Sequence, residues 1–318
     1  MFDVVALGEL LIDFTPAGQT AAGLPLFEQN PGGAPANVLV ALSKLGRKCA
    51  FMGMVGNDQF GVFLRDTLVS HHVDVTGLKF SATVGTTLAF VHLLADGERS
   101  FSFYRNPGAD MMLRPEDLDD HLIKNAKVFH FGSISMTDEP SRSATLAAVK
   151  VAKENGLLVS FDPNYRPLLW KSQSAAQTAI RAGLAFADLL KVSQEELKLI
   201  TGSADVAKGT AFLREQGTGI VLVTLGSAGC FYSYPGGTGH LDTYQLKTVD
   251  TTGAGDAFLG GILYWASRLS KQELLTLSVP EFERIVDFAN AMGALTTTKK
   301  GAIPALPDLA LVTKVATK

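Results

Sequence analysis

The chain has 318 residues, 47% of them hydrophobic, enough to bury the core of one large α/β domain. Its 28 Lys and Arg against 31 Asp and Glu leave a formal net charge of −3, without the basic footprint of a nucleic-acid or anionic-membrane binder. No apolar run approaches a membrane span of roughly 18 residues. The opening Met1-Phe2-Asp3-Val4-Val5-Ala6-Leu7-Gly8-Glu9 has no basic leader segment, so the expected compartment is the cytoplasm. Cys49 and Cys230 sit among apolar or small residues and are expected as buried thiols rather than a disulfide.

Short apolar, β-branched runs alternate with segments of helical period, the pattern of a parallel sheet covered by helices. The first strand is predicted over 4–7, and Asp13 follows just beyond it. A carboxylate at the carboxyl end of a strand lies where open α/β sheets bind ligands, and it can accept from two vicinal hydroxyls. A lone Asp is also a common turn residue. Residues 18–29 could add extended chain. The segment Asn30-Pro31-Gly32-Gly33-Ala34-Pro35-Ala36-Asn37 then leads into a helix over 36–45. Gly32 and Gly33 would let a ligand approach the backbone, and Asn37 offers a donor and an acceptor to a hydroxyl. An ordinary capped loop would have the same composition.

A strand over 50–55 and a helix over 60–71 precede a break in rhythm. Between 85 and 105 two alternating runs flank Asp96-Gly97, which predicts a hairpin. Inserted into an α/β domain, it suggests a small side sheet serving as a lid, with an edge extension of the main sheet as the alternative. Its exposed edge could pair with a second copy across a dimer. Tyr104-Arg105-Asn106-Pro107-Gly108-Ala109-Asp110 closes the hairpin and could bring Arg105 over the cleft.

Strands over 128–131, 157–161, 189–192 and 220–224 follow, alternating with helices over 141–155, 174–186, 195–201 and 206–216. Asp162-Pro163-Asn164-Tyr165-Arg166-Pro167 leaves one strand and could point Asn164 and Arg166 into a cleft. Ser193-Gln194-Glu195-Glu196 leaves the next; its carboxylates could hold Mg2+ through water or simply begin a helix. Thr224-Leu225-Gly226-Ser227-Ala228-Gly229 gives a close-approach turn suited to a nucleotide. Two further helices are expected over 254–267 and 281–297, and the last ten residues are expected to fray.

The segment Asp250-Thr251-Thr252-Gly253-Ala254-Gly255-Asp256-Ala257-Phe258 carries the sharpest chemistry. Small residues at a helix start let backbone N–H groups converge on an anion, with the positive end of the helix dipole behind them. Asp256 would repel a phosphate as a ligand, but it suits a base beside a transferring phosphoryl group. No Gly-x-x-x-x-Gly-Lys-Ser/Thr, no Gly-x-Gly-x-x-Gly after the first strand and no His-Glu-x-x-His occurs, which excludes a P-loop and argues against a dinucleotide fold or a zincin.

Together, Gly32-Gly33-x-x-x-Asn37 and Asp250-Thr-x-Gly-Ala-Gly-Asp256 resemble the signatures of the ribokinase-like carbohydrate kinases, the PfkB family, over nearly the whole chain. Within that family, residues 103–110, 162–170 and 296–307 look most like fructokinases; 2-keto-3-deoxygluconate and aminoimidazole riboside kinases share parts of them. The resemblance implies an α/β, three-layer, ribokinase-like fold over residues 1–318, with a mostly parallel sheet and a β lid from about 14–30 and 85–106. It implies ATP and Mg2+, with Asp256 taking the proton from O6 of fructose and the N–H groups of Gly253, Ala254 and Gly255 forming an anion hole. Asp13, Gly32, Gly33, Asn37, Arg105, Asn164 and Arg166 would hold the sugar. Lys191, Ser193, Thr224, Gly226, Gly229 and Asn290 would line the nucleotide site, with Glu196 reaching Mg2+ through water. Asp250 and Thr252, with backbone of 296–301, match a monovalent cation site such as K+. The family's Asn-x-x-Glu element is here Ser193-x-x-Glu196, so its contacts differ. A non-catalytic sugar-binding protein on this fold would be expected to have lost Asp256 or the glycines beside it.

Overall fold

The computed structural model describes residues 1–93 and 99–316. Its strands are β1 (Phe2–Leu7), β2 (Leu11–Gln19), β3 (Pro25–Gly32), β4 (Cys49–Gly56), β5 (Val73–Ser81), β6 (Leu88–Leu93) and β7 (Arg99–Tyr104), followed by β8 (Ala126–Gly132), β9 (Leu158–Asp162), β10 (Leu189–Ser193), β11 (Ile220–Thr224), β12 (Cys230–Tyr234) and β13 (Gly237–Leu241). The helices are α1 (Ala34–Lys44), α2 (Gln59–Ser70), α3 (Asp120–Lys124), α4 (Ser141–Glu154), α5 (Gln173–Leu184) and α6 (Gln194–Thr201), then α7 (Val206–Glu215), α8 (Ala254–Ala266), α9 (Lys271–Leu275), α10 (Val279–Thr296) and α11 (Leu309–Val315).

Nine strands form one sheet in the order β13-β12-β11-β10-β9-β8-β1-β4-β5, with every pairing parallel except β11–β12 and β12–β13. Strand β1 shows why it lies inside. Val4 and Ala6 pack into one core with α1, α2, α8 and α10, while Val5 and Leu7 pack into a second core with α3 to α7. A strand apolar on both faces needs helices on both sides, which produces the three layers.

Between β1 and β2 the chain leaves this sheet through Gly8, Glu9 and Leu10 and enters a second sheet, ordered β3-β2-β6-β7. The predicted hairpin is its β6–β7 pair, antiparallel from Leu88↔Tyr104 to Leu93↔Arg99; Asp96-Gly97 falls outside the described residues. One face carries a row of aromatic rings, Phe14 stacked on Phe90 at 4.7 Å with Phe27 and Tyr104 edge-on to Phe90. Because side chains alternate along a strand, Asp13 lies on the opposite face from Phe14.

Both cysteines are buried free thiols. The expected fraying of the last ten residues is corrected for 309–315: Asp308 caps α11 by accepting from Leu311 N, and Val312 is buried in the core. No helix among the described residues is long and apolar enough to cross a membrane.

Candidate active site

The predicted site residues collect along the carboxyl ends of the parallel strands. Asp162, Ser193 and Thr224 end neighbouring strands β9, β10 and β11, while Gly8 and Glu9 follow β1. Helix N-termini and loops meet at this edge, which gives the polar groups access to a ligand that the buried strands could not.

Asp256 lies at its centre, in the first turn of α8 and only 9% exposed. Its Oδ2 accepts from Asn37 Nδ2 at 2.8 Å and its Oδ1 from Asn164 Nδ2 at 3.4 Å. Burial pushes its carboxyl above the ordinary range. Lys191 pulls it back, Asp162 adds to the rise, and the Asn37 hydrogen bond and Arg166 oppose it. A carboxylate that accepts from two amides yet pays for desolvation is a stronger base than an exposed one.

Each contact has a local cause. Asn164 has a left-handed backbone, φ 46°, and its N–H donates to Asp162 Oδ1 at 3.1 Å, so the turn after β9 aims the amide at Asp256. Asn37 lies one turn into α1, whose N-cap is Gly33 at φ 120°. Only glycine fits there, because a Cβ would stand 2.3 Å from the carbonyl oxygen of Glu9. Gly32 is required for a different reason: a Cβ there would lie 2.2 Å from Asp13 Oδ2. Asp13 itself is half-buried. Desolvation pushes its carboxyl up to about 6, Arg166 opposes this, and the charge of Asp256 adds to it.

The buried Lys191 ammonium contacts Asp162 Oδ2 at 2.8 Å. Burial pulls its pKa down, but Asp162, Glu196 and Asp256 outweigh that and the net direction is upward. A Cβ built on Gly255 would come within 2.9 Å of Nζ, so this cation lies beneath the start of α8. Gly253, in the left-handed region at φ 76°, begins that helix, whose first-turn amides have no intrahelical acceptor. The Ala254 N–H differs from its two neighbours in already bending back to the Thr251 carbonyl, at 3.2 Å.

Ser193 caps α6 and faces Thr224 across the β10–β11 register; beyond Thr224, Gly226 and Gly229 make a turn with φ of 60° and 90°. Asn290, buried on α10, donates to the carbonyls of Leu241 and Asp242, both at 3.3 Å. Asp250 accepts from Thr252 N and Oγ1 through Oδ1 and from Gly301 N through Oδ2, which ties the 250–252 turn to the 296–301 loop.

Two of the predicted site residues are already engaged by groups of the protein itself. One is Arg105. Its Nε, Nη1 and Nη2 donate to Asp110 Oδ2, Thr137 Oγ1 and the Ile134 carbonyl, and it is buried with Asp110 at the root of β7. Glu196 completes a capping box on the Ser193 N–H and accepts from Tyr165 N, at 2.7 and 2.6 Å, so both oxygens serve backbone amides. Arg166 is exposed, and its charge bears on both Asp13 and Asp256. Sequence reasoning missed the Asp162 partner of Lys191 and also Glu9. A charged residue inside the buried strand Leu189–Ser193 was the available sign that Lys191 needed a buried counter-charge.

A model of the pfkB family carbohydrate kinases matches residues 1–309. The chain is 47% identical over 307 residues to probable fructokinase-4 of Arabidopsis thaliana, covering 96% of this chain and 93% of that one. The fructokinase of Xylella fastidiosa with bound ATP superposes with a TM-score of 0.92 at 36% identity, covering 99% of this chain and 98% of that one. The fructokinase of Vibrio cholerae O395 with fructose, ADP and a calcium ion gives 0.89 at 37% identity, covering 99% of both chains; a double mutant of it holds fructose, ADP and a potassium ion. A match extending over nearly the whole chain, in sequence and in fold, makes this protein a member of the pfkB family of carbohydrate kinases, fructokinase-like among its relatives.

Proposed function

We propose that the protein transfers the γ-phosphoryl group of ATP to O6 of D-fructose, with Asp256 as general base. The observation that carries this reading is the buried Asp256 carboxylate at the N-terminus of α8, held by Asn37 and Asn164 with the Lys191 ammonium beneath the same turn. Asp256 takes the hydroxyl proton as O6 bonds to phosphorus and the bond from phosphorus to the ADP oxygen breaks. The transferring group needs little covalent help, so positioning and charge stabilisation do most of the work. The amides of Gly253 and Gly255 and the cation of Lys191 face that charge, with Ala254's amide shared with Thr251.

Asp13, Gly32, Gly33, Asn37, Asn164 and Arg166 form the sugar side of the pocket. Arg105 contributes through its anchoring of the β7 root, since its guanidinium is already engaged. Ser193, Thr224, Gly226, Gly229 and Asn290 form the nucleotide side. Mg2+ bound to the phosphates would neutralise charge there, keeping most of its water; Glu196, already holding two amides, reaches it only through water. The Asp250-tied loops suit a monovalent cation such as K+, which would strengthen the field at the anion hole. The second sheet acts as a lid on the single catalytic unit, its edge being where a second copy would pair, and the enzyme works in the cytoplasm.

An ADP-coupled assay with ATP, Mg2+ and a panel of fructose, 2-keto-3-deoxygluconate and aminoimidazole riboside tests the reading. The highest kcat/KM is expected on fructose. Preference for the keto-acid or the riboside would overturn the substrate assignment, and no turnover on any sugar would overturn the kinase assignment.

A further inference from the structure

Helix α1 begins without a capping side chain of its own. Its N-cap is Gly33, and the close approach of the Glu9 carbonyl forbids a Cβ there. The first helical amide, Ala34 N, instead donates to Glu9 Oε1 at 2.8 Å, from a residue 25 positions earlier in the chain. Glu9 is 2% exposed, and its second oxygen, Oε2, is buried with no hydrogen-bond partner. Burial pushes this carboxyl up to about 7, against the Ala34 amide and Arg105; the charge of Asp110 adds to the rise. A buried acid with one oxygen unpartnered is expensive for the fold. One contact explains its placement, the first turn of α1.

That turn presents Asn37, whose own N–H bonds to the Gly33 carbonyl at 2.9 Å and whose side chain donates to Asp256. We propose that Glu9 is a positioning residue for phosphoryl transfer: by capping α1 through Ala34, it fixes Asn37 against Asp256 and so sets the base in register with the sugar. Glu9 thereby replaces, from across the sheet edge, the N-cap side chain that Gly33 cannot carry. The inference rests on the sugar-kinase reading above.

Three variants test it: Glu9→Ala, Glu9→Gln and Ala34→Pro. The first removes the acceptor and the second keeps Oε1. The third removes the donor at the first helical position, where proline suits the backbone, and its ring carbon also displaces the Glu9 carboxylate from the helix start. Initial rates are measured with sugar and ATP varied separately, beside thermal melts. Glu9→Ala and Ala34→Pro should each lower kcat/KM for the sugar roughly tenfold, the ratio corresponding to a lost cap of about 1.4 kcal/mol. KM for ATP should stay within about twofold, and Glu9→Gln should restore most of the sugar kcat/KM. If Glu9→Ala fails to fold, Ala34→Pro carries the test. A lowered melting temperature with unchanged sugar kcat/KM would overturn the proposal, as would equal damage in Glu9→Gln and Glu9→Ala. A wild-type protein inactive on every sugar would instead overturn the kinase reading.

Discussion

Asp13→Asn should make the empty enzyme more stable and the working enzyme far worse. Desolvation and the nearby Asp256 raise the Asp13 carboxyl from its ordinary 3.8 to about 6. The folded chain therefore binds this proton more tightly than the unfolded one does. The associated stability is fully present below about pH 3.8 and is lost as pH rises through about 6, so at neutral pH ionised Asp13 is a net cost. The difference corresponds to about 3 kcal/mol, and allowing for the part of the residue that still faces solvent leaves about 1–3 kcal/mol. Asparagine removes the charge at nearly constant volume. At roughly 1.5 °C per kcal/mol for a chain of this length, the apo melting temperature should rise by about 2–4 °C. On the proposed role of Asp13, the charged acceptor for two sugar hydroxyls would be lost at the same time, which should raise KM for fructose by about 10- to 100-fold. Calorimetric melts with and without fructose, paired with initial rates, measure both effects. A variant that melts at or below the wild type without sugar, or that keeps its fructose KM, would refute the reasoning.

Asp256→Asn should lower kcat by a factor on the order of 10² or more, because the amide cannot take a proton and turns an N–H toward Asn37 or Asn164. ATP affinity by calorimetry should be unchanged, and a kcat within tenfold of wild type would refute the role of base. The pH profile of kcat/KM should fall on the acid side more steeply than one proton requires, since Asp13 at about 6 and the raised Asp256 both lose their charge there. Asp13→Asn should remove one of these two steps. Gly32→Ala should raise KM for fructose about tenfold with little change for ATP, because the new Cβ would displace the Asp13 carboxylate. Asp250→Ala should abolish any activation by K+, as measured by rates in K+ against a large inert cation, because it releases Thr252 and Gly301 together.

The order of elements was legible in the chain. The central strands and the eight expected helices follow from continuous apolar runs and helical spacing, signals contained within each segment. Strands β5, β12 and β13 and the short helices α3, α9 and α11 were missed, being too short, too polar or too unevenly buried to show a period. The Gly-Ala-Gly-Asp turn was legible for a related reason: the left-handed Gly253 and the helix that follows are local conformations carried by their own residues.

Partnership between distant charges was not legible. Arg105 looks the same in sequence whether it meets a sugar or Asp110, and its capture at the β7 root depends on Thr137 and Ile134, some thirty positions away. Glu196 had the spacing of a capping box with Ser193, but the further amide from Tyr165 came from the neighbouring strand's exit. Nothing near Glu9 in the chain indicates that it caps a helix beginning at Ala34. By itself, then, the sequence determined the layers, the parallel sheet and the left-handed Gly-Ala-Gly-Asp turn that starts α8, because backbone preference and burial are properties of short segments. The tertiary structure decided which carboxylates are held by side-chain amides in the cleft, as Asp256 is, and which fasten backbone, as Glu196 does, because that depends on what the fold places across from each one and how much water it removes.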